Sequence, residues 1–199
     1  IPAIPNIEGP WSSPADMNYT SDWWDPLWDA LEDMDMPAHM HLGAKPLTPG
    51  LDQNLFTSIV CNKAMMAEPI TSLIFSGALR RHPKLKIVSV ESGVGWMAFI
   101  VPWMDNVYER HRHWQNLDIG ESPSYYFQRQ VYGTFIEDPV GVRERHTIGL
   151  GNIMWSNDFP HSDSTWPHSM KAIEEHFAGV PEDETEMLVS SNARGLYDL

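Results

Sequence analysis

The sequence is poor in cysteine and in basic residues, and each shortage excludes a class of protein. Cys61 is the only cysteine, which rules out an internal disulfide framework and a zinc site built from four cysteines, and predicts a reducing, cytoplasmic location. Lysine and arginine number 13 against 27 aspartates and glutamates, and the net charge of -14 disfavours nucleic acid and anionic membrane surfaces as partners. No apolar run is long enough to span a bilayer.

The residues that are present suit a folded domain. The chain has 199 residues, of which 42% are hydrophobic, and this is enough for one domain with its own core. Residues 1–22 are rich in Pro, Ser, Asn and Gly and predict an extended lead-in, which leaves 23–199 as the domain. Several of the nine tryptophans fall in predicted loops, where they either wall a pocket or bury against a partner chain.

Four short apolar runs, each followed by a helical pattern, predict a parallel α/β fold. The predicted strands are residues 37–43, 86–90, 131–136 and 153–156. Predicted helices follow the Asp25-Pro26 start, fill residues 54–81 with a break or kink at Pro69, run from Met97 past Pro102, and return at 140–148, 170–177 and after Pro181. The segment 118–130 is polar and carries no predicted helix.

A polar residue follows or ends each predicted strand. These residues are His41, Glu91, Glu137 and Asp158. Polar side chains at successive strand ends are typical of the active-site face of a (β/α)8 barrel. Four units make only half of such a barrel and leave two strand edges open, so we expect a missing segment of the same precursor or a second chain to complete it.

Two local motifs carry candidate chemistry. Asp158 and His161 stand three residues apart in the loop after the last strand, and the alternative is that Asp158 caps the next helix while His161 is a surface turn residue. His39 and His41 point to the same side of their strand, which suits a divalent metal. The alternative there is a strand whose histidines hydrogen-bond to their neighbours.

Three of these segments together resemble the metal-dependent hydrolase (amidohydrolase) superfamily, in the branch named for aminocarboxymuconate-semialdehyde decarboxylase. Residues 36–43, 84–96 and 152–161 are similar to the family's fifth, sixth and eighth strands, and they occur in the family's order. Asn192-Ala-Arg-Gly-Leu-Tyr197 is similar to its usual ending. The resemblance covers about residues 20 to 199 and implies the C-terminal half, strands five to eight, of a TIM barrel.

The resemblance also implies roles for particular residues. His41 matches a metal ligand, and Asp158 matches a ligand or general base. Glu91 stands where the decarboxylases carry a catalytic histidine, which puts decarboxylation in doubt and makes Glu91 a candidate third ligand or a ligand to a second metal. The family's first-strand ligands have no counterpart here. Zinc is the expected metal, with iron or manganese as alternatives.

The remaining candidate residues surround that centre. His161, Trp96 and Trp166 are expected to line the substrate pocket, with His39 beside them, and His161 is either an acid–base group or a structural turn residue.

These features predict a metal-dependent hydrolase or decarboxylase-like carbon–carbon lyase that acts on a small carboxylated or cyclic substrate and forms an oligomer. Two alternatives stay open. One is a dinuclear iron oxygenase on the same fold, and the other is a non-catalytic half-barrel that assembles with a partner chain.

Overall fold

The computed structural model describes Ile1, residues 18–41 and residues 55–199. Residues 2–17 and 42–54 lie outside these described residues. They include most of the predicted lead-in and the last two residues of the first predicted strand, 42 and 43. The first described elements are a 3-10 turn at Asp22–Trp24, helix α1 at Asp25–Asp33 and strand β1 at Ala38–His41.

The remaining elements alternate strands with helices. They are α2 (Leu55–Ala64), α3 (Ala67–Phe75), α4 (Ala78–Arg81), β2 (Ile87–Val90), α5 (Met97–Gln115), α6 (Pro123–Gln130), β3 (Val131–Phe135), α7 (Pro139–Arg143), α8 (Arg145–Ile148), β4 (Ile153–Trp155), α9 (Ser169–His176), α10 (Glu182–Glu186) and α11 (Asn192–Tyr197). A 3-10 turn at Leu150–Asn152 precedes β4, and a π-helical turn at Met187–Ser191 joins α10 to α11.

The four strands form one parallel sheet in the order β1-β2-β3-β4. Their register places His39 beside Val88 and His41 beside Val90. Because each strand pairs with the next along the chain, all four carboxyl ends meet at one edge. The fold is therefore half of a (β/α)8 barrel, as the strand–helix repeat predicts.

One prediction about the helices is wrong in detail, and one helix was not predicted. The interruption in the region 54–81 falls at Met65 and Met66, whereas Pro69 lies in the first turn of α3, where a proline costs no hydrogen bond. The segment 118–130 does contain a helix, α6, which starts at Pro123 after Ser122 caps it through the backbone N–H of Tyr125. Because most of the segment is polar, its sequence does not reveal the buried residues that anchor the helix.

The main core lies between the sheet and the helices on its outer face. Its fully buried large side chains include Trp28, Met40, Leu73, Leu79, Met97, Phe127 and Phe135. Burial of such side chains stabilises the fold by about 1.5 to 3 kcal/mol each, relative to leaving them exposed.

The inner face of the sheet is covered in part by α11. Leu196 packs with Val88 and Met154, and Tyr197 lies against the same cluster. The Asn192 side-chain amide donates hydrogen bonds of 2.8 Å to the carbonyls of Leu150 and Ile153, which fixes α11 at the start of β4. The carboxyl ends of the strands are left open to the candidate site.

Within the described part of the chain, no helix combines the length and the apolar character that crossing a bilayer requires.

Candidate metal centre

Three of the four polar strand-end residues meet above the sheet. His41 is the last residue of β1, Glu91 follows β2 directly, and Asp158 lies three residues beyond β4. The Nε2 atom of His41 lies 2.6 Å from Oε2 of Glu91, and the Glu91 and Asp158 carboxyl groups share a hydrogen bond. Glu91 therefore lies between the imidazole of His41 and the carboxyl group of Asp158.

Both acidic residues have an unusual backbone conformation. Glu91 has a φ of 60° and Asp158 a φ of 57°, the left-handed region that non-glycine residues seldom adopt. The backbone N–H of Glu91 donates to Oγ1 of Thr134 at 3.1 Å, and the backbone carbonyl of Asp158 accepts from the N–H of His161 at 2.8 Å. These bonds hold the two turns in the conformation that directs the carboxyl groups toward each other. Such strain is concentrated at functional sites.

The environment of Glu91 favours its protonated form. Burial raises the pKa of the Glu91 carboxyl, and the hydrogen bond with Asp158 raises it further, while the nearby His41 imidazole lowers it. The balance is a raised pKa for Glu91, which is expected for a partly buried carboxyl group beside a second carboxyl group.

The three side chains suit a divalent metal, but they form only part of a ligand set. One imidazole and two carboxyl groups are ligands that zinc and manganese accept. Among the described residues, however, the ligand atoms of His41, Glu91 and Asp158 do not all lie within 4.8 Å of one another. The three side chains form a chain of pairwise contacts, so this half-barrel supplies part of a metal centre.

A cavity of about 290 Å³ lies beside the three residues. His161 lines it and lies 3.3 Å from Asp158, measured from its Nδ1 atom to Oδ2. The side chains of Asn62 and Lys63 on α2 line the opposite wall, and Asp163 adds a carboxylate. Sequence reasoning missed all three residues. For Asn62 and Lys63 the reason is that α2 has the composition of an ordinary packing helix, and its position over the strand ends depends on the fold.

The other predicted pocket residues lie elsewhere. His39 lies two residues before His41 in β1. Its Nε2 atom is 2.7 Å from the Tyr197 hydroxyl of α11. The Trp96 indole packs against the outer core and donates to the carbonyl of Gly93 at 3.1 Å. Neither lines the cavity, and no observation tests their predicted role with substrate, which stays a prediction.

Two further residues line a neighbouring cavity of about 690 Å³. Trp166 is exposed, contacts the ring of Phe159 at 5.6 Å, and borders this second cavity. Glu137, the fourth strand-end residue, borders it together with His168 and Lys171. Glu137 also borders a smaller cavity with Lys63 and Asp163, but it does not line the cavity beside His41, Glu91 and Asp158.

Gly93 and Gly95, in the turn after β2, leave room for the side chain of Asp138. The Asp138 carboxylate accepts the backbone N–H groups of Val94 and Gly95, both at 2.7 Å. A Cβ at Gly95 would lie 2.7 Å from Oδ1 of Asp138, and one at Gly93 would lie 3.0 Å from Oδ2. The absence of side chains at Gly93 and Gly95 therefore lets this turn approach the loop after β3 closely.

A sequence model of the amidohydrolase family matches residues 4–199. No curated protein matches the chain significantly.

Solved structures share the fold at low sequence identity. A 5-carboxyvanillate decarboxylase, LigW, from Sphingomonas paucimobilis is 21% identical with a TM-score of 0.75, over 94% of this chain and 57% of its own. A 2,6-dihydroxybenzoate decarboxylase from Rhizobium is 19% identical with a TM-score of 0.76, over 96% and 59%. A dihydroxybenzoic acid decarboxylase from Polaromonas sp. JS666, with bound manganese, is 18% identical with a TM-score of 0.72, over 91% and 55%.

The chain spans little more than half the length of these three structures. That proportion agrees with four of the eight strands of a barrel. Together with the family match over nearly all of its residues, it shows that the chain belongs to the amidohydrolase family and forms half of that family's TIM-barrel fold.

Proposed function

We propose that this chain supplies half of the active site of a metal-dependent hydrolase or carbon–carbon lyase. The observation that carries the proposal is the meeting of His41, Glu91 and Asp158 at the carboxyl edge of the sheet. A completing half-barrel, from the same precursor or from a second chain, supplies the remaining ligands.

The proposed cation is divalent. An imidazole and carboxylates suit both zinc and manganese, and manganese is the ion bound to the Polaromonas decarboxylase. When bound, such a cation polarises a carbonyl or carboxylate and acidifies water. His41 and Asp158 would hold it, with Glu91 as the third ligand from this half.

Two groups of this chain are suited to proton transfer and substrate orientation. Asp158 is half-buried beside the cavity and would take up a proton from water or from a substrate hydroxyl, and the His161 imidazole lies 3.3 Å from its carboxyl group. Lys63 lines the same cavity and presents an ammonium group among acidic residues. It suits a carboxylate or another anionic oxygen on a small substrate.

The proposed substrate is a small carboxylated or cyclic organic acid. The relatives named above decarboxylate aromatic acids. The cavity beside Glu91 is lined by Lys63, whose ammonium group can pair with a substrate carboxylate. Glu91 stands in place of the catalytic histidine that the resemblance leads one to expect in a decarboxylase, and this departure favours hydrolysis over decarboxylation.

The proposal is tested by the metal content of the protein as isolated, measured by elemental mass spectrometry. We expect the His41→Ala/Asp158→Asn double variant to contain about one equivalent less zinc or manganese than the native protein, since each catalytic metal needs about three protein ligands. His113→Ala changes an exposed histidine far from the site and serves as the matched control. Equal metal content in all three proteins would leave the chain as a non-catalytic half-barrel.

A further inference from the structure

A second cluster of metal-binding side chains lies at the other end of the sheet. We propose that His82, Asp29 and Glu32 form a site for a divalent cation, separate from the candidate metal centre. The ligand atoms of these three residues lie within 4.8 Å of one another, and they are the single group among the described residues that meets this distance. His82 precedes β2, whereas the candidate metal centre follows the strand ends.

The distances between the side chains fit one shared ion. The Nδ1 atom of His82 lies 3.1 Å from Oδ1 of Asp29 and 3.7 Å from Oε2 of Glu32. Two ligands that each lie about 2.1 Å from one ion are about 3 to 3.5 Å apart. Small side-chain rotations therefore suffice to place all three around a cation.

The ring nitrogens of His82 are buried without a hydrogen-bond partner in the protein. Its side chain is buried, and neither ring nitrogen forms a hydrogen bond of acceptable geometry, although carboxylate oxygens lie 3.1 Å from each. Buried polar atoms almost always have a bonding partner. A cation on Nδ1 would satisfy the ring atom that faces Asp29 and Glu32.

The local charge balance also favours a cation. Arg81 forms two hydrogen bonds with Asp25, of 3.1 Å and 2.9 Å, so its charge is already engaged. Among the ion pairs of the described residues, none joins a lysine or arginine to Asp29 or Glu32. Two carboxylates thus face one imidazole, and a divalent ion would neutralise them.

The surroundings hold the ligands in place. Asp25 lies 3.1 Å from Nε2 of His82, and the hydrogen bond from Arg81 lowers the pKa of the Asp25 carboxyl, so an ionised carboxylate faces the ring on the side away from Asp29 and Glu32. This is the carboxylate–histidine–metal arrangement of many metal sites. The other oxygen of Glu32 accepts the backbone N–H groups of Lys84 and Leu85.

Asp29 gives the ion a route from solvent, because its side chain is 67% exposed. For the same reason a change at Asp29 does not threaten folding.

The test uses zinc and a protein whose candidate metal centre has been removed. In the His41→Ala/Asp158→Asn background, we expect equilibrium dialysis to show about one bound equivalent of Zn²⁺. Adding Asp29→Asn should weaken zinc binding at least tenfold, since a ligand is lost. The matched control is Asp33→Asn, which makes the same charge change at an exposed position of the same helix.

Two results would overturn the proposal. One is the absence of zinc binding in the double-variant background, and the other is equal zinc affinity in the Asp29→Asn and Asp33→Asn proteins. Either would leave His82 as a side chain that packs between Asp25 and Asp29 without a metal ion. Because the candidate metal centre is absent from every protein compared, the outcome does not depend on the proposed function.

Discussion

Glu91 and Asp158 show how far a single residue can be understood from its position in the sequence. Each follows a strand, and that position predicts a carboxyl group at the active-site edge. Their left-handed backbone and the hydrogen bond between their carboxyl groups are not visible in the sequence, because both depend on contacts with Thr134 and with each other. The chemistry of the pair therefore depends on the assembled fold.

His176 offers a residue-scale prediction about pH. Burial lowers the pKa of its imidazole despite the nearby carboxylates of Glu137 and Asp138, and its Nε2 atom accepts the backbone N–H of Asp138 at 3.1 Å. Between the ordinary imidazole pKa of 6.5 and the lower folded value, the unfolded chain binds more protons. The stability contributed by neutral His176 is complete above pH 6.5 and is lost as the pH falls below it.

Urea unfolding at pH 7.5 and pH 5.5 measures this effect. We expect His176→Gln to lose less stability between the two pH values than the native protein, because the glutamine cannot take up the proton. His113→Gln, at an exposed position, should keep the native pH dependence. If His176→Gln and native protein lost the same stability on acidification, neutral His176 would not be the cause.

Among the elements, Asp138 connects parts of the barrel that the sequence keeps far apart. Its carboxylate caps α7 through the N–H of Gly141 at 2.8 Å and binds the two N–H groups of the turn before α5. The turn after β2, which carries Glu91, is thereby fixed to the loop after β3. Asp138-Pro139 predicts a helix start from the sequence alone, but its contacts with Val94 and Gly95 do not follow from the sequence.

Asp138→Ala should destabilise the protein by about 3 kcal/mol, because three backbone N–H groups lose a charged acceptor and α7 loses its cap. Asp138→Asn retains an acceptor and should cost about 1 kcal/mol. The free energy of unfolding in urea at pH 7.5 gives both values. Glu137→Ala, at the exposed neighbouring position, should change stability by less than about 0.5 kcal/mol and is the control. Similar losses for Asp138→Ala and Glu137→Ala would refute the capping role.

For the whole molecule, the main feature is an incomplete barrel. Among the described residues, β1 and β4 each pair with a single strand, and apart from the backbone bonds of Ile1 to His39 and His41 they present edge positions where a full barrel would continue. Large apolar side chains are exposed as well, including Phe56, Val60, Phe99, Trp114 and Met170. Open edges and exposed apolar surface both favour association with another chain.

We therefore expect the purified chain to associate. Sedimentation velocity should show species larger than the 22.7 kDa monomer, and the share of these species should rise with protein concentration. The oligomer should dissociate on dilution unless a completing half-barrel is present. A single 22.7 kDa species across the concentration range would contradict the prediction.

The order of strands and helices, the half-barrel class and the three polar residues at the strand ends could all be predicted from the sequence. This was possible because strand–helix alternation and apolar periodicity are local properties of the chain. The tertiary structure decided which polar residues meet. It joined Glu91 to His41 and Asp158, placed Lys63 on α2 over the same cavity, and set Glu137 and Trp166 apart. It also gathered His82, Asp29 and Glu32 at the opposite end. These groupings depend on contacts between residues distant in sequence, which no local pattern contains.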